Sequence, residues 1–289
     1  MKVKILIPVY NDRESLTRLI KNIDTEIRSL QCEISIIVVN DASSQQIIDN
    51  YQHTENINSI EIINMKENRG HARCIASGLK YVFEKKEFDY VIPMDGDGED
   101  RPEEIKQFID NLEYHPDKVI VGERIKRSEN IIFKFCYGVH KLLTLTFTGQ
   151  SIKFGNYTCL PKSIVEKMIN EKATWSSFSG SLAKVAKDRA SVPSERGSRY
   201  FDPSKMSFMN LVKHSLSIIA VFKINVLIRS ILFLLIYLFL ISQNISLITL
   251  IPIPLIIVMI AAVFSTSNRE NISEFKNSLT NITKIENLK

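Results

Sequence analysis

Through roughly its first 160 residues the chain alternates short apolar runs with longer stretches of helical periodicity, and this constrains its fold more than any other feature. Residues 3–9, 33–39, 59–63, 90–94 and 118–121 are compact apolar runs bounded by turn residues, as buried parallel strands are. Between them, residues 13–30 place Leu16, Leu19, Ile20, Ile23 and Ile27 on one stripe, and residues 69–85 form a second amphipathic pattern. Asp41-Ala-Ser-Ser44 supplies a turn and helix cap, and Pro102 opens a further helix in its first turn. Such alternation predicts an α/β chain with a parallel, doubly wound sheet. Residues 154–160 read as a returning strand, and residues 163–170 and 180–188 as helices.

In open α/β sheets, ligands gather beyond the carboxyl ends of the strands. The run at 90–94 ends in Asp95-Gly96-Asp97, two carboxylates on a glycine-bearing turn. That arrangement can converge on one hard cation, and the cation on a diphosphate. Oxygen-only ligands select Mg²⁺ or Mn²⁺ over zinc. A lone Asp-x-Asp is more often a solvated turn, so the preceding strand and the motifs below carry the argument.

The net charge of +5, from 37 basic and 32 acidic residues, is mild, but its distribution is informative. Basic residues cluster over 124–141 and 184–223, and acidic ones over 95–104, suiting anionic ligands or a membrane surface at the former and a cation at the latter. No zinc-finger, RNA-binding or helix-turn-helix signature points to nucleic acid. Cys32, Cys74, Cys136 and Cys159 lie far apart without a C-x-x-C pair, the pattern of reduced thiols rather than a disulfide or zinc framework. The apolar run within residues 1–8 is too short for a signal peptide and reads as a core strand.

Further along, residues 225–242 are apolar apart from Arg229, and residues 245–264 are uncharged. Each is about 18–20 residues, near the span of a bilayer's hydrocarbon core. A transmembrane hairpin is expected, with both termini and the α/β domain cytoplasmic, because Lys213, Lys223, Arg229, Arg269 and Lys276 flank the spans while the turn 243–246 carries no Lys or Arg. Pro252 and Pro254 are tolerable where a neighbouring helix or water satisfies the freed carbonyls. Ahead of the hairpin, Phe208, Leu211, Val212, Ser215, Ile218, Ile219 and Phe222 keep helical spacing, as an interfacial or an ordinary packing helix does. Residues 131–150 read as an apolar, partly basic helix, either domain-flanking or membrane-facing. The polar stretch after Ser267 reads as a solvated helix or a partly disordered tail. The expected organisation is a cytoplasmic α/β domain over 1–205, an interfacial helix over 206–223, two transmembrane helices over 224–265 and a cytoplasmic tail over 266–289. Two spans leave helix surface for self-association, so a homo-oligomer is allowed.

Four signatures stand at the ends of successive strands: Ile7-Pro-Val-Tyr-Asn-Asp12, Val38-Val-Asn-Asp-Ala-Ser-Ser44, Asn68-Arg-Gly-His-Ala-Arg-Cys-Ile-Ala-Ser-Gly78 and Met94-Asp-Gly-Asp97. In this order they resemble the inverting family-two glycosyltransferases of the A-type nucleotide-sugar fold, a Rossmann-like, mostly parallel sheet. The closer resemblance is to the membrane-bound polyprenyl-phosphate branch, which includes dolichyl-phosphate mannosyltransferases and undecaprenyl-phosphate glucosyltransferases. It covers residues 1 to about 160 well, and the basic segment and hairpin in outline.

The resemblance implies a nucleoside-diphosphate-sugar donor, a UDP-sugar foremost, and a polyprenyl-phosphate acceptor at the membrane. Pro8, Tyr10 and Asp12 would meet the base or ribose, Asp12 being equally placed to cap the helix after it. Asp41 would accept hydrogen bonds from base or ribose, or serve as a turn aspartate. Gly70 would let the backbone approach a phosphate at a helix N-terminus, with Arg69 and Arg73 as candidates for charge-assisted bonds. Asp97 would hold the metal directly, Asp95 would meet the ribose or the metal, and Glu99, where relatives carry Gln, would complete the shell. Val121-Gly-Glu-Arg124 with Arg127 resembles a Gly-Ser-Arg-x-x-Arg segment whose arginines meet phosphate oxygens. Arg196-Gly-Ser-Arg199-Tyr200 resembles a shortened Gly-x-Ser-Lys-Tyr motif with Arg199 at the Lys position, either a loop closing over the diphosphate or lipid phosphate or a surface loop. Where relatives show Gly-Asp-Phe-Arg, this chain reads Gly155-Asn-Tyr-Thr158, and Asn156 cannot act as a base. A phosphate acceptor needs none, whereas a sugar hydroxyl acceptor would need a carboxylate such as Glu195 or Asp188. The alternatives are therefore transfer to a hydroxyl of a lipid-linked glycan or cell-envelope polysaccharide, and an inactive membrane scaffold with a vestigial fold.

Overall fold

A computed structural model describes residues 1–45, 54–126, 131–201 and 208–289. In chain order the elements are β1 (Lys2–Val9), α1 (Arg13–Glu26), β2 (Glu33–Asn40), β3 (Ser59–Met65), α2 (His71–Lys85), β4 (Tyr90–Pro93), α3 (Ile105–Leu112), β5 (Val119–Lys126) and α4 (Ile131–Thr148). They continue with β6 (Phe154–Pro161), α5 (Lys162–Asn170), α6 (Phe178–Val185), β7 (Arg189–Glu195), α7 (Phe208–Ala220), α8 (Lys223–Ile241), α9 (Leu247–Leu250), α10 (Pro252–Ser267), α11 (Ile272–Lys276) and β8 (Ile282–Asn287). They fall into two compact units.

The first unit, residues 1–128, 153–205 and 271–289, is built on one eight-stranded sheet in the order β7-β5-β6-β4-β1-β2-β3-β8. β1 pairs in parallel with β2 and β4, and β2 with β3, while β6 runs antiparallel to β4 and β5, and β8 antiparallel to β3. The sheet is thus mixed, with its central strands buried on both faces: Val3, Ile5, Leu6, Ile7, Ile36 and Val38 are almost wholly inaccessible. One face packs on the stripe of α1, with Leu16, Leu19, Ile20 and Ile23 in a common core with Ile5, Ile7, Phe108 and Tyr157. The other face packs on α2, α5 and α6 through Ile75, Leu79, Val165 and Leu182.

Two strands depart from the sequence expectation. β7 starts directly after α6, which ends at Val185 rather than 188; its sequence carries Pro193 and few apolar residues, which an edge strand permits because one side needs no ladder donor. The stretch expected as a solvated tail after Ser267 instead returns to the sheet. It forms α11 and then β8, whose Ile285 pairs with Ile63 of β3, while Phe275 is fully buried. A short strand with Lys284 and Glu286 suits an exposed edge, and its alternating charges hid it from an apolar-run search.

The second unit, residues 129–152 and 206–270, is helical. Lys223–Ile241 and Leu247–Lys276 contain windows long and apolar enough to cross a membrane, with mean hydropathies of 2.5 and 2.8 and only 11% of each window buried. Ile231, Leu232, Leu235, Ile236, Phe239 and Leu240 of α8 are exposed. A smaller core joins Phe147, Ile219, Ala220, Val226 and Val263. Arg229, the lone charge within the apolar spans, donates from Nη1 to the Thr146 carbonyl at 3.1 Å, and Asn225 Nδ2 to that of Thr148 at 3.1 Å. These polar groups satisfy the unpaired carbonyls at the C-terminus of α4, where a cation is also favoured by the helix dipole.

Candidate active site

Several loops meet at the carboxyl ends of the parallel strands of the first unit. At β1, Pro8 is buried, Tyr10 stands 48% exposed, and Asn11 adopts a positive φ of 50°. The Asn11 side chain accepts from the Ser44 backbone at 2.8 Å, and Asn11 N donates to Ser43 Oγ at 2.8 Å, fastening this loop to the one after β2. Asp12 precedes α1 without capping it through its side chain; its carboxylate lies 3.9 Å from Arg199 instead.

Asp41, 4% exposed, turns both oxygens to the next loop: Oδ1 accepts from Arg69 N at 3.0 Å and Oδ2 from Gly70 N at 2.9 Å. Burial holds its pKa above the ordinary carboxylate value, and the two backbone donors pull it partly back. Its first duty is therefore to fix the entry to α2. Gly70, at φ +92°, makes that entry in a conformation few L residues adopt. Arg73 does not extend toward open space: it lies 3.5 Å from the Glu274 carboxylate and over the Trp175 ring.

The first residue of α2, His71, reaches the acidic turn, its Nε2 lying 3.2 Å from Asp95 Oδ1. Asn156, on β6, sits 2.9 Å from the same His71 nitrogen and 3.5 Å from Asp95 Oδ1. Burial would raise the Asp95 pKa, but His71, Arg124 and Asn156 more than reverse it and hold the group ionised. Desolvation likewise would lower His71, yet the carboxylates of Asp95, Asp100 and Asp97 raise it overall.

Asp100 is the residue that local reasoning missed. It is 4% exposed, its Oδ2 accepts from Asp95 N at 2.9 Å, and Arg124 stands 3.8 Å from its Oδ1. Burial and then the Asp95 charge push its pKa up to about 8. Asp97 is raised by the same two causes. The turn thus concentrates more carboxylate than its basic neighbours neutralise. Among the described residues no set of three or more His, Cys, Asp or Glu side chains is arranged to hold a metal ion. Asp95 and Asp97 supply hard oxygen donors suited to a cation that takes its remaining ligands from phosphate and water.

The segment 196–200 lies on this turn. Gly197 N donates to Glu99 O at 2.9 Å and Tyr200 N to Asp97 O at 3.0 Å. Arg199 Nη1 donates to Asp97 Oδ2 at 2.6 Å, and Arg196 pairs with Glu99, the carboxylate expected on the metal. The Tyr200 ring covers Gly98, its hydroxyl accepts from Asn22 Nδ2 at 2.8 Å, and Arg18 stacks over it at 4.7 Å. Buried Glu104 ties β7 to the site by accepting from Ser194 Oγ at 2.7 Å and Glu195 N at 2.8 Å. Of the two carboxylates considered as bases, Glu195 ends β7 at the rim near Arg101, whereas Asp188 precedes that strand and pairs with Lys118 before β5. Arg127 lies outside the described residues.

The pattern of Glycosyl transferase family 2 matches residues 4–160, more than half of the chain and the span that carries most of this rim. The chain belongs to glycosyl transferase family 2. Its fold is similar to that of S. aureus TarS 1–349 in complex with UDP-GlcNAc (13% identity, 97% of this chain and 92% of that one, TM-score 0.54). It is also similar to glucosyl-3-phosphoglycerate synthase from Mycobacterium tuberculosis with Mn²⁺ and UDP (12%, 78% and 79%, 0.54). A third is the mannosyltransferase PcManGT from Pyrobaculum calidifontis with GDP-Man and Mn²⁺ (13%, 93% and 86%, 0.53). At such identities the likeness is one of fold: the mixed α/β sheet of the A-type glycosyltransferases, here followed by two apolar helices.

Proposed function

We propose that the chain is an inverting glycosyltransferase that moves a sugar from a nucleoside-diphosphate donor, a UDP-sugar foremost, to polyprenyl phosphate at the cytoplasmic face of a membrane. The observation that carries the reading is Arg199: it bonds Asp97 at 2.6 Å, yet its Nε–H is buried without a hydrogen-bond partner among the described residues. A buried unpartnered donor costs about 1–3 kcal/mol, and a phosphate oxygen beside the acidic turn would relieve it.

The roles follow from the rim. The ends of β1 and β2, at Pro8, Tyr10, Asp12 and Asp41, offer the base and ribose an edge of backbone and carboxylate groups. Gly70 and the start of α2 give the diphosphate N–H groups and a favourable helix dipole. A divalent cation held by Asp95 and Asp97 would neutralise charge on the leaving diphosphate; two of the similar folds were solved with Mn²⁺. Arg124, Arg127, Arg196 and Arg199 are assigned to phosphate oxygens of donor and acceptor, holding the attacking oxygen in line with the leaving group. Asn156 supports a phosphate acceptor: it is bonded to His71 and Asp95 and offers no base, and a phosphate is already ionised at neutral pH. The two apolar helices support membrane attachment, with both termini cytoplasmic by the distribution of Lys and Arg.

The test is transfer from a panel of labelled UDP- and GDP-sugars, with Mn²⁺, to polyprenyl phosphate in detergent. The expected product is label on an acid-labile lipid monophosphate, lost entirely in Asp97→Ala. Label recovered only on an elongated glycan would overturn the acceptor. Absence of transfer from any donor would overturn the reaction.

A further inference from the structure

We infer that Glu274, which follows both apolar helices in the chain, is a positioning residue for the donor-side loop 67–73; this rests on the donor reading above. Arg69 and Arg73 stand one helical turn apart at the entry to α2, and one oxygen of Glu274 serves both, 2.9 Å from Arg69 Nη1 and 3.5 Å from Arg73 Nη1. The other oxygen accepts from Trp175 Nε1 at 3.0 Å. The carboxylate therefore has little freedom to swing away. Its backbone is anchored as well: Glu274 N donates to the Asn271 side chain at 3.0 Å. Phe275, fully buried, stacks on the Trp175 ring with centroids 5.3 Å apart. The Arg73 guanidinium lies over the same indole, 5.3 Å from its centroid.

The opposite side of the loop is held by Asp41 through the Arg69 and Gly70 backbone N–H groups. His71, next in line, meets Asp95. The loop is thus clamped between one carboxylate from β2 and another from α11, and its free end touches the acidic turn. Arg69 also pairs with Glu67 of its own loop, and Asn281 bonds the backbone there, but Glu274 is the carboxylate that ties both arginines to α11. Without its charge the two guanidinium groups repel, and α2 presents His71 and its first N–H groups to a diphosphate in a less fixed position. Two guanidinium groups that meet on one carboxylate oxygen disfavour each other once its charge is gone, so the expected response is a shift of the loop rather than unfolding.

The experiment measures binding of UDP and of GDP, each with Mn²⁺, to the full chain in detergent, alongside its melting temperature and donor kinetics. Glu274→Gln should weaken whichever nucleotide the wild type binds by about five- to tenfold, the scale of one net hydrogen bond. Donor KM should rise with kcat nearly unchanged, and Glu274→Asp should recover part of the affinity. Phe275→Leu, which keeps the carboxylate but loosens its packing, should lower the melting temperature more than the affinity. Unchanged or tighter nucleotide binding by Glu274→Gln overturns the inference, as does an equal loss of affinity in Phe275→Leu. A wild type that binds neither nucleotide overturns the donor reading and this inference with it.

Discussion

Gly98 shows how tightly single positions of the acidic turn are constrained. Its φ of +89° disfavours any side chain, and a Cβ there would lie 2.7 Å from the Tyr200 ring. That ring cannot simply retreat, being bonded through its hydroxyl to Asn22 and covered by Arg18. Gly98→Ala should therefore cost about 1–3 kcal/mol, read as a lower midpoint in chemical denaturation; a loss below about 0.5 kcal/mol would mean the segment 196–200 moves freely over the turn. The candidate residues differ in how visible they were. Asp95 and Asp97 announced themselves because an apolar strand ran straight into two carboxylates. Asp100 lay in the acidic cluster 95–104 and His71 in the Asn68–Gly78 signature, but they show their use only once burial and a 3.2 Å approach to Asp95 are known. Glu274 carries no local signal at all: its partner Arg69 lies 205 positions away.

Among the elements, the interior strands could be read from the chain because strands buried on both faces are continuous apolar runs. The edges could not. β7 holds Pro193 and two serines, and β8 alternates Ile with Lys and Glu, so each resembles a loop until its pairing partner is known. The boundary of α6 went wrong for the same reason, since without β7 nothing marked where the helix should stop. β8 can be tested directly. Glu286→Pro should break the pairing with Ile62, since the donors toward β3 alternate from Leu288 N, which bonds Ile60 O, and proline removes one and fixes φ. The expected result is faster amide exchange across Ser59–Met65 and a lower melting temperature, with exchange in β1 little changed. Unaltered protection of β3 would mean that β8 adds nothing to the sheet.

At the level of the whole chain, the second unit is contributed by residues 129–152 and 206–270, between pieces of the first. Two of its helices are long and apolar enough to cross a membrane. Under the proposed topology, Asn244→Cys in the turn between them should react with an impermeant maleimide added to intact cells, and a cysteine introduced at Lys276 should react only after permeabilisation. Equal labelling of both without permeabilisation would contradict a cytoplasmic carboxyl terminus. The interleaving of the two units also sets an order of events during synthesis. Residues 271–289 leave the ribosome after both apolar helices, so β3 waits for its outer neighbour, and Arg69 for Glu274, until the hydrophobic hairpin has been made. A nascent chain stalled before that point would carry an open sheet edge and a loop 67–73 without its Glu274 partner, which ties maturation of the rim to completion of the apolar helices.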